Sequence, residues 1–172
     1  MQRIERPNTV RYLTFSCYKR LPLPDNPKIR DRFAAALAEA RSRFEFHLLA
    51  WVTMPEHVHL LIMPEPPEPS IVKPLWWLKR ETATHIVARW RALGAPILHQ
   101  ITDASGRARY WQRGGGYDRV LWNEGAIRKT VRYIHDNPVR RGLAETPEVW
   151  TWSSARALRG DPEALVPIDR VV

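Results

Sequence analysis

The residues best equipped for chemistry are two histidines, a tyrosine and an asparagine. His57 and His59 flank Val58 in the run Met54-Pro55-Glu56-His57-Val58-His59-Leu60-Leu61-Ile62. In a strand, residues two apart share a face, so both imidazoles project together while Val58 enters the other side. Two neighbouring imidazoles can bind one divalent metal if a third ligand arrives from elsewhere in the chain. The triplet alone is a weak signal, because a surface or structural pair reads the same way. The apolar Leu60, Leu61 and Ile62 sharpen it, since histidines in a buried strand need polar partners. The second group is Thr130 to Gly142, TVRYIHDNPVRRG. On a helix, Tyr133 and Asn137 lie four apart and face the same way. A phenol with an ordinary pKa near ~10 needs activation or a strongly polarised target to act as a nucleophile. A metal held on a phosphate by His57 and His59 supplies that polarisation, and Asn137 can add a neutral amide oxygen as third ligand. Arg132, Arg140 and Arg141 are close in sequence for phosphate contacts. The plainer alternative has Tyr133 packing on a sheet and Asn137 capping the helix before Pro138.

Several elements must position these groups. Val10 to Tyr18 is rich in β-branched and aromatic residues and reads as a strand. Helix one starts at Pro27, with Asn26 as N-cap, and carries an apolar stripe through Ile29, Phe33, Leu37, Ala40 and Phe44. Phe46 to Thr53 and His57 to Met63 form two strands joined by the short Met54-Pro55-Glu56 connection. In that turn Glu56 is expected to point away from the histidine pair. After the proline-rich Pro64 to Pro69, a second helix runs from about Pro74 to Leu93, with Leu75, Leu78, Thr82 and Ile86 on one face. Lys79 and Arg80 decorate the rest, and the Trp76-Trp77 pair is expected in the core rather than as a base-stacking platform. Ile101 to Ala108 reads as an irregular loop. A strand is expected around Arg109 to Arg113, before the Gly114-Gly115-Gly116 break. A third helix spans Asn123 to about Asp136, stopping before Pro138 because a residue preceding proline avoids helical angles. Trp150 and Trp152 in the tail are expected to pack back onto the core. His135 is assigned a packing or surface role, and His47, His85 and His99 lack a partner motif. The order β-α-β-β-α-β plus a helix is the ferredoxin-like, split-βαβ form of the α+β class: an antiparallel sheet with two helices on one face, and a C-terminal helix carrying the tyrosine.

Composition narrows the partners. A chain of 172 residues suits a single domain, and no apolar run reaches the roughly 20 residues of a membrane span. Met1 to Pro7 lacks the apolar stretch of a signal peptide. Cys17 is the only cysteine, so an internal disulfide and a cysteine-based zinc site are both excluded, and a cytoplasmic, nucleoid-associated setting fits best. The formal charge of +9 favours a polyanionic partner, because each neutralised phosphate releases counterions. An arginine-rich surface without function would give the same excess. Between Asp103 and Arg141, however, Arg107, Arg109, Arg113, Arg119, Arg128, Lys129, Arg132, Arg140 and Arg141 outnumber the carboxylates and sit around Tyr133.

Met54 to Leu61, then Tyr110-Trp111-Gln112-Arg113, then Tyr133 to Leu143 and Trp152-Ser153-Ser154, follow one another in order. Together they resemble the REP-associated tyrosine transposases, relatives of the small insertion-sequence transposases of the HUH class, over nearly the whole chain. The resemblance implies one HUH domain over 1–172, with the tyrosine helix near 123–137 and a tail over 143–172. It maps the metal pair onto His57 and His59, the third ligand onto Asn137 and the nucleophile onto Tyr133, with Mg²⁺ or Mn²⁺ as cofactor. It also implies cleavage and rejoining of single-stranded DNA at hairpins of repetitive extragenic palindromes, through a 5′-phosphotyrosine intermediate. Lys79, Arg80, Arg113, Arg119, Arg132, Arg140 and Arg141 are the expected DNA contacts, and a monomer is favoured over a dimer. The glycine run before Tyr117 departs from the family pattern. Two alternatives stand beside this one: a catalytically silent module that grips hairpin DNA or RNA, and a metal-dependent hydrolase using water.

Overall fold

Strand β1 (Val10–Ser16) gives the molecule its two sides. Leu13 and Phe15 enter one apolar core, while Tyr12, Thr14 and Ser16 alternate onto the opposite face. The computed structural model describes residues 9–65, 70–114 and 116–170. In chain order, β1 is followed by α1 (Pro27–Phe44), β2 (Phe46–Thr53), β3 (His57–Pro64), α2 (Val72–Ala92), the short α3 (Ile97–Ile101), β4 (Tyr117–Leu121), α4 (Glu124–Arg140) and α5 (Ala155–Leu158). The sheet order is β2-β3-β1-β4, antiparallel throughout, as a ferredoxin-like fold requires. The register sets Thr14 opposite His59 and Ser16 opposite His57.

Two helices cover one face and the third covers the other. Asn26 Oδ1 accepts the Lys28 N–H at 2.9 Å and Pro27 opens α1, so the helix starts where the sequence places it. Phe33 and Leu37 of α1 and Leu75 and Leu78 of α2 bury against Leu13, Phe15, Val58 and Leu60. Each such side chain contributes roughly 1.5–3 kcal/mol on full burial. On the far face, Ile134 of α4 packs with Ala50, Val52, Leu61 and Trp150. A register irregularity between Leu48 and Ala50 lets adjacent Leu49 and Ala50 enter the same core, while Leu48 and Trp51 enter the other.

Four expectations need correction. First, α4 does not stop before Pro138 but continues to Arg140. Its end is fixed by a Schellman pattern: Leu143 N–H donates to Pro138 O at 2.9 Å and Gly142 N–H to Val139 O at 2.9 Å, with Gly142 at φ +67. That motif outweighs the local preference of the residue before proline. Second, Arg109 to Arg113 forms no strand. Trp111 makes one isolated bridge to Cys17, and its indole N–H donates to Lys79 O at 2.9 Å, tying the segment to α2. The last strand is Tyr117–Leu121. Gly116 allows its entry, since a Cβ there would sit 2.1 Å from Thr14 O at a φ of +76. Third, Ile101 closes a short helix rather than opening an irregular loop. Fourth, Trp76 is 59% exposed, whereas Trp77 packs edge-on against Phe44. The proline-rich expectation over 66–69 and Gly115 lie outside the described residues.

The tail packs back as expected, and does so against a specific edge. Ser154 N–H donates to Trp51 O and Thr53 N–H to Trp152 O, each at 2.9 Å, while Leu48 exchanges hydrogen bonds with Asp169. These bonds satisfy the outer edge of β2, which would otherwise be open to pairing. The Arg30 guanidinium lies over both Trp150 and Trp152, at 4.7 and 4.5 Å from the ring centroids, and the two indoles meet edge-on. Among the described residues no helix is long and apolar enough to cross a membrane.

Candidate active site

β1 and β3 supply the floor of the site, and α4 supplies its wall. His57 and His59 project from β3 on the face that α4 covers, and Thr14, Ser16, Tyr133, Asn137, Arg140 and Arg141 join them around a pocket of about 400 Å³. Larger pockets lie elsewhere, of about 510 and 560 Å³, so the donor set rather than size identifies this one. The two Nε2 atoms stand 3.0 Å apart. Two imidazole lone pairs cannot rest at that distance without a proton or a cation between them. The separation also suits two adjacent ligands of one ion, which at metal–nitrogen distances near ~2.1 Å place their nitrogens about 3 Å apart.

Each ring is held from behind. His59 Nδ1 lies 2.8 Å from both Tyr12 Oη and Thr14 Oγ1. His57 Nδ1 lies 3.1 Å from Glu56 Oε1, in close polar contact without the alignment of a hydrogen bond. Burial lowers both imidazoles below their ordinary pKa, His59 to about 3, where its neighbour His57 adds to the effect. Both are therefore neutral, the form that ligates a metal. Asn137 is buried, donates its amide N–H to Tyr133 O at 2.7 Å, and turns its carbonyl oxygen towards His59. Among the described residues no three His, Cys, Asp or Glu side chains gather for a metal. The donor set is two imidazoles and one amide, which suits a divalent ion that keeps waters or takes phosphate oxygens.

The expectation that Glu56 points away is wrong. Its carboxylate is buried and accepts a hydrogen bond from Arg141 Nη1 at 2.8 Å while facing His57. Burial alone would raise its pKa, but the Arg141 hydrogen bond first, then neighbouring His57 and the Arg141 charge, hold it below the usual carboxylate value. Glu56 thus links the end of α4 to the first histidine.

The expected phosphate contacts divide into groups. Arg140 lines the pocket with its guanidinium 5.4 Å from the Tyr133 ring, and Arg141 lines it beside Glu56. Arg119 pairs in register with Tyr12 and so shares the face of the site, and Arg113 is exposed. Arg132 lines a separate groove with Leu49 and Ile168. Lys79 donates to Gly114 O at 3.0 Å and serves the loop, while Arg80 lies over Trp76. His135, as expected, packs: its Nε2 is 2.7 Å from Ser154 Oγ, and burial lowers it to about 4.

Sequence reasoning missed Tyr12, Thr14, Ser16 and Arg20. The first three carried a readable signal, because polar residues alternate with Leu13, Phe15 and Cys17 along β1. Arg20 carried none. It reaches the pocket through two consecutive residues at positive φ, Lys19 at 53° and Arg20 at 54°, a conformation costing roughly 1–2 kcal/mol per residue.

The fold is one that similar proteins share. The profile of the family described as IS200-like transposase matches residues 10–137. A REP-associated tyrosine transposase from Escherichia coli (strain K12) is 28% identical over 134 residues, covering 78% of this chain and 68% of that protein. The solved structure of a REP-associated tyrosine transposase bound to a REP hairpin superposes with a TM-score of 0.68 at 20% identity, over 100% of this chain and 90% of the other. A candidate transposase from Deinococcus radiodurans R1 superposes with a TM-score of 0.50 at 18% identity, over 79% of this chain and 95% of the other. These two structures speak to the fold, and the family match extends through Asn137. The chain belongs to the IS200-like transposase family.

Proposed function

We propose that this chain, acting as one domain over 1–172, cleaves and rejoins single-stranded DNA at palindromic hairpins of the repetitive extragenic kind. The observation that carries the reading is the convergence of His57, His59, Asn137 and Tyr133 on one pocket, with the two Nε2 atoms 3.0 Å apart. His57, His59 and Asn137 would hold Mg²⁺ or Mn²⁺, which when bound polarises the scissile phosphate and offsets its charge. Tyr133 is 41% exposed at the pocket mouth, with room for a phosphodiester to approach its hydroxyl. Its oxygen forms a bond to phosphorus as the bond from phosphorus to the 3′-oxygen breaks. The phenolic proton leaves and the departing 3′-oxygen gains one. The products are a 5′-phosphotyrosine and a free 3′-hydroxyl, and attack by a 3′-hydroxyl reverses the step without an energy source. Arg140, beside the Tyr133 ring, and Arg20 and Arg141 at the rim, supply charge for the phosphate.

The relative solved with a REP hairpin supports the hairpin as substrate class. The tail bonded along the β2 edge supports a monomer as the acting unit. A cytoplasmic, nucleoid-associated location goes with a DNA substrate and a lone buried thiol. The test is a denaturing gel of protein with end-labelled hairpins and Mn²⁺ or Mg²⁺. A covalent band is expected, lost with Tyr133→Phe and with chelator. Cleavage without a covalent band would move the chemistry to water, and binding without cleavage would leave a hairpin-binding module.

A further inference from the structure

On α2, Val72, Trp76 and Arg80 recur at intervals of four and form an exposed stripe, with Val72 46% and Trp76 59% accessible. An exposed indole this large is uncommon without a partner. Beside it runs a groove of about 380 Å³ between α2 and residues 108–114, floored by Leu75, Ala83, Ala108 and Trp111. Among the described residues no carboxylate lines it, and Lys79, Arg80 and Arg109 do. Arg109 is engaged by Asp103 at 2.6 Å and Lys79 by the Gly114 carbonyl. Arg80 has no ion pair among the described residues, and its guanidinium sits 5.2 Å from the Trp76 ring. The groove is close to the catalytic pocket, because Gln112 N–H donates to Ser16 O at 2.9 Å and Ser16 lines that pocket.

We infer that this groove is a base-binding site: an unpaired nucleobase of single-stranded DNA stacks on Trp76 and its phosphate meets Arg80. The inference deepens the reading of the chain as a single-strand DNA enzyme and rests on it for the identity of the ligand. A flat indole with a cation over its ring matches a π-face joined to a phosphate, and a positive lining with no acid among the described residues favours an anionic occupant over a basic one. A paired base offers its neighbours, not its face, so the ligand must be unpaired. The tie from the 112–114 segment to the end of β1 places this site where a strand leaving the Tyr133 pocket can reach it.

The probes are a DNA hairpin of arbitrary sequence with an oligothymidine extension and the same hairpin with a blunt end, since stacking tolerates sequence. Wild-type protein is expected to bind the extended hairpin more tightly. Trp76→Ala should weaken that binding roughly 5- to 150-fold while leaving the blunt hairpin unchanged, and Trp76→Phe should recover part of the loss. 5-Iododeoxyuridine in the extension should cross-link to the Trp76 peptide. Thermal melting of each variant, unchanged for so exposed a side chain, controls for folding. Equal binding of extended and blunt hairpins by wild type, an equal loss on both with Trp76→Ala, or cross-linking elsewhere overturns the inference. Failure of the parent reading looks different: no covalent band at Tyr133 with any DNA. Tyr133→Phe should keep the preference for the extension.

Discussion

Replacing Glu56 by Gln separates a residue that positions the histidine pair from one that merely holds the fold together. The Glu56 carboxylate is 11% exposed, lies 3.1 Å from His57 Nδ1, 2.8 Å from Arg141 Nη1 and 3.9 Å from Arg20. Both arginines reach solvent, at 49% and 69% exposure, so removing the negative charge leaves no buried cation unpaired. The Arg141 pair, screened by water on the arginine side, contributes at most about 1 kcal/mol. For a chain of this size that corresponds to a fall in Tm of roughly 2–4 °C. The effect on the site is expected to be larger. His57 loses the anion that orients its ring and raises its basicity, and outer partners of this kind typically change metal affinity or activity by ~10- to 100-fold. Titration of Mn²⁺ followed by calorimetry or by its paramagnetic signal, alongside thermal melting, measures both. A 10-fold or greater rise in Kd with a shift in Tm of only a few degrees is the expected pairing. A large fall in Tm with unchanged Mn²⁺ affinity would refute the positioning role. An unchanged pair of values would show that the 3.1 Å contact does nothing for the site.

Other outcomes follow from the packing. Phe33→Ala removes a ring that is 2% exposed and meets Trp111 edge-on and Phe15 at a tilt, so urea unfolding should show a loss of about 3–5 kcal/mol. Ser154→Ala strips partners from His135 Nε2 and the Trp51 N–H, leaving buried polar atoms unsatisfied at a cost of roughly 1–3 kcal/mol by the same measurement. Gly116→Ala pushes a Cβ into Thr14 O; circular dichroism and melting should report a destabilised sheet, with the β1–β4 pairing as the element lost. Cys17 is buried and its thiol pKa is raised, chiefly by burial and then by Glu56. A thiol reagent at neutral pH should therefore leave the folded chain unlabelled and react on unfolding; rapid labelling of native protein would contradict its placement.

Much of this protein is legible along the chain because it depends on local rules. The two-residue period put His57 and His59 on one face, and the four-residue spacing aligned Tyr133 with Asn137. Asn26 and Pro27 marked the start of α1, and the succession of strands and helices was enough for the ferredoxin-like order. What remained hidden depends on contacts between distant segments. Pro138 lies inside α4 because Gly142 and Leu143 close the helix end, which a rule about neighbours does not capture. Arg109 to Arg113 has strand-like residues, yet Trp111 and Lys79 tie it to α2 instead. Trp76 and Trp77 are adjacent and identical in type, and only the angle of α2 on the sheet decides that one is bare and the other half-buried. Glu56 turned inward because Arg141, far along the chain, arrives to meet it. The sequence by itself determined which side chains could do the chemistry. The tertiary structure decided which of them meet, because meeting is set by the register of β1 on β3 and the packing of α4 across them, and neither is written in any one segment.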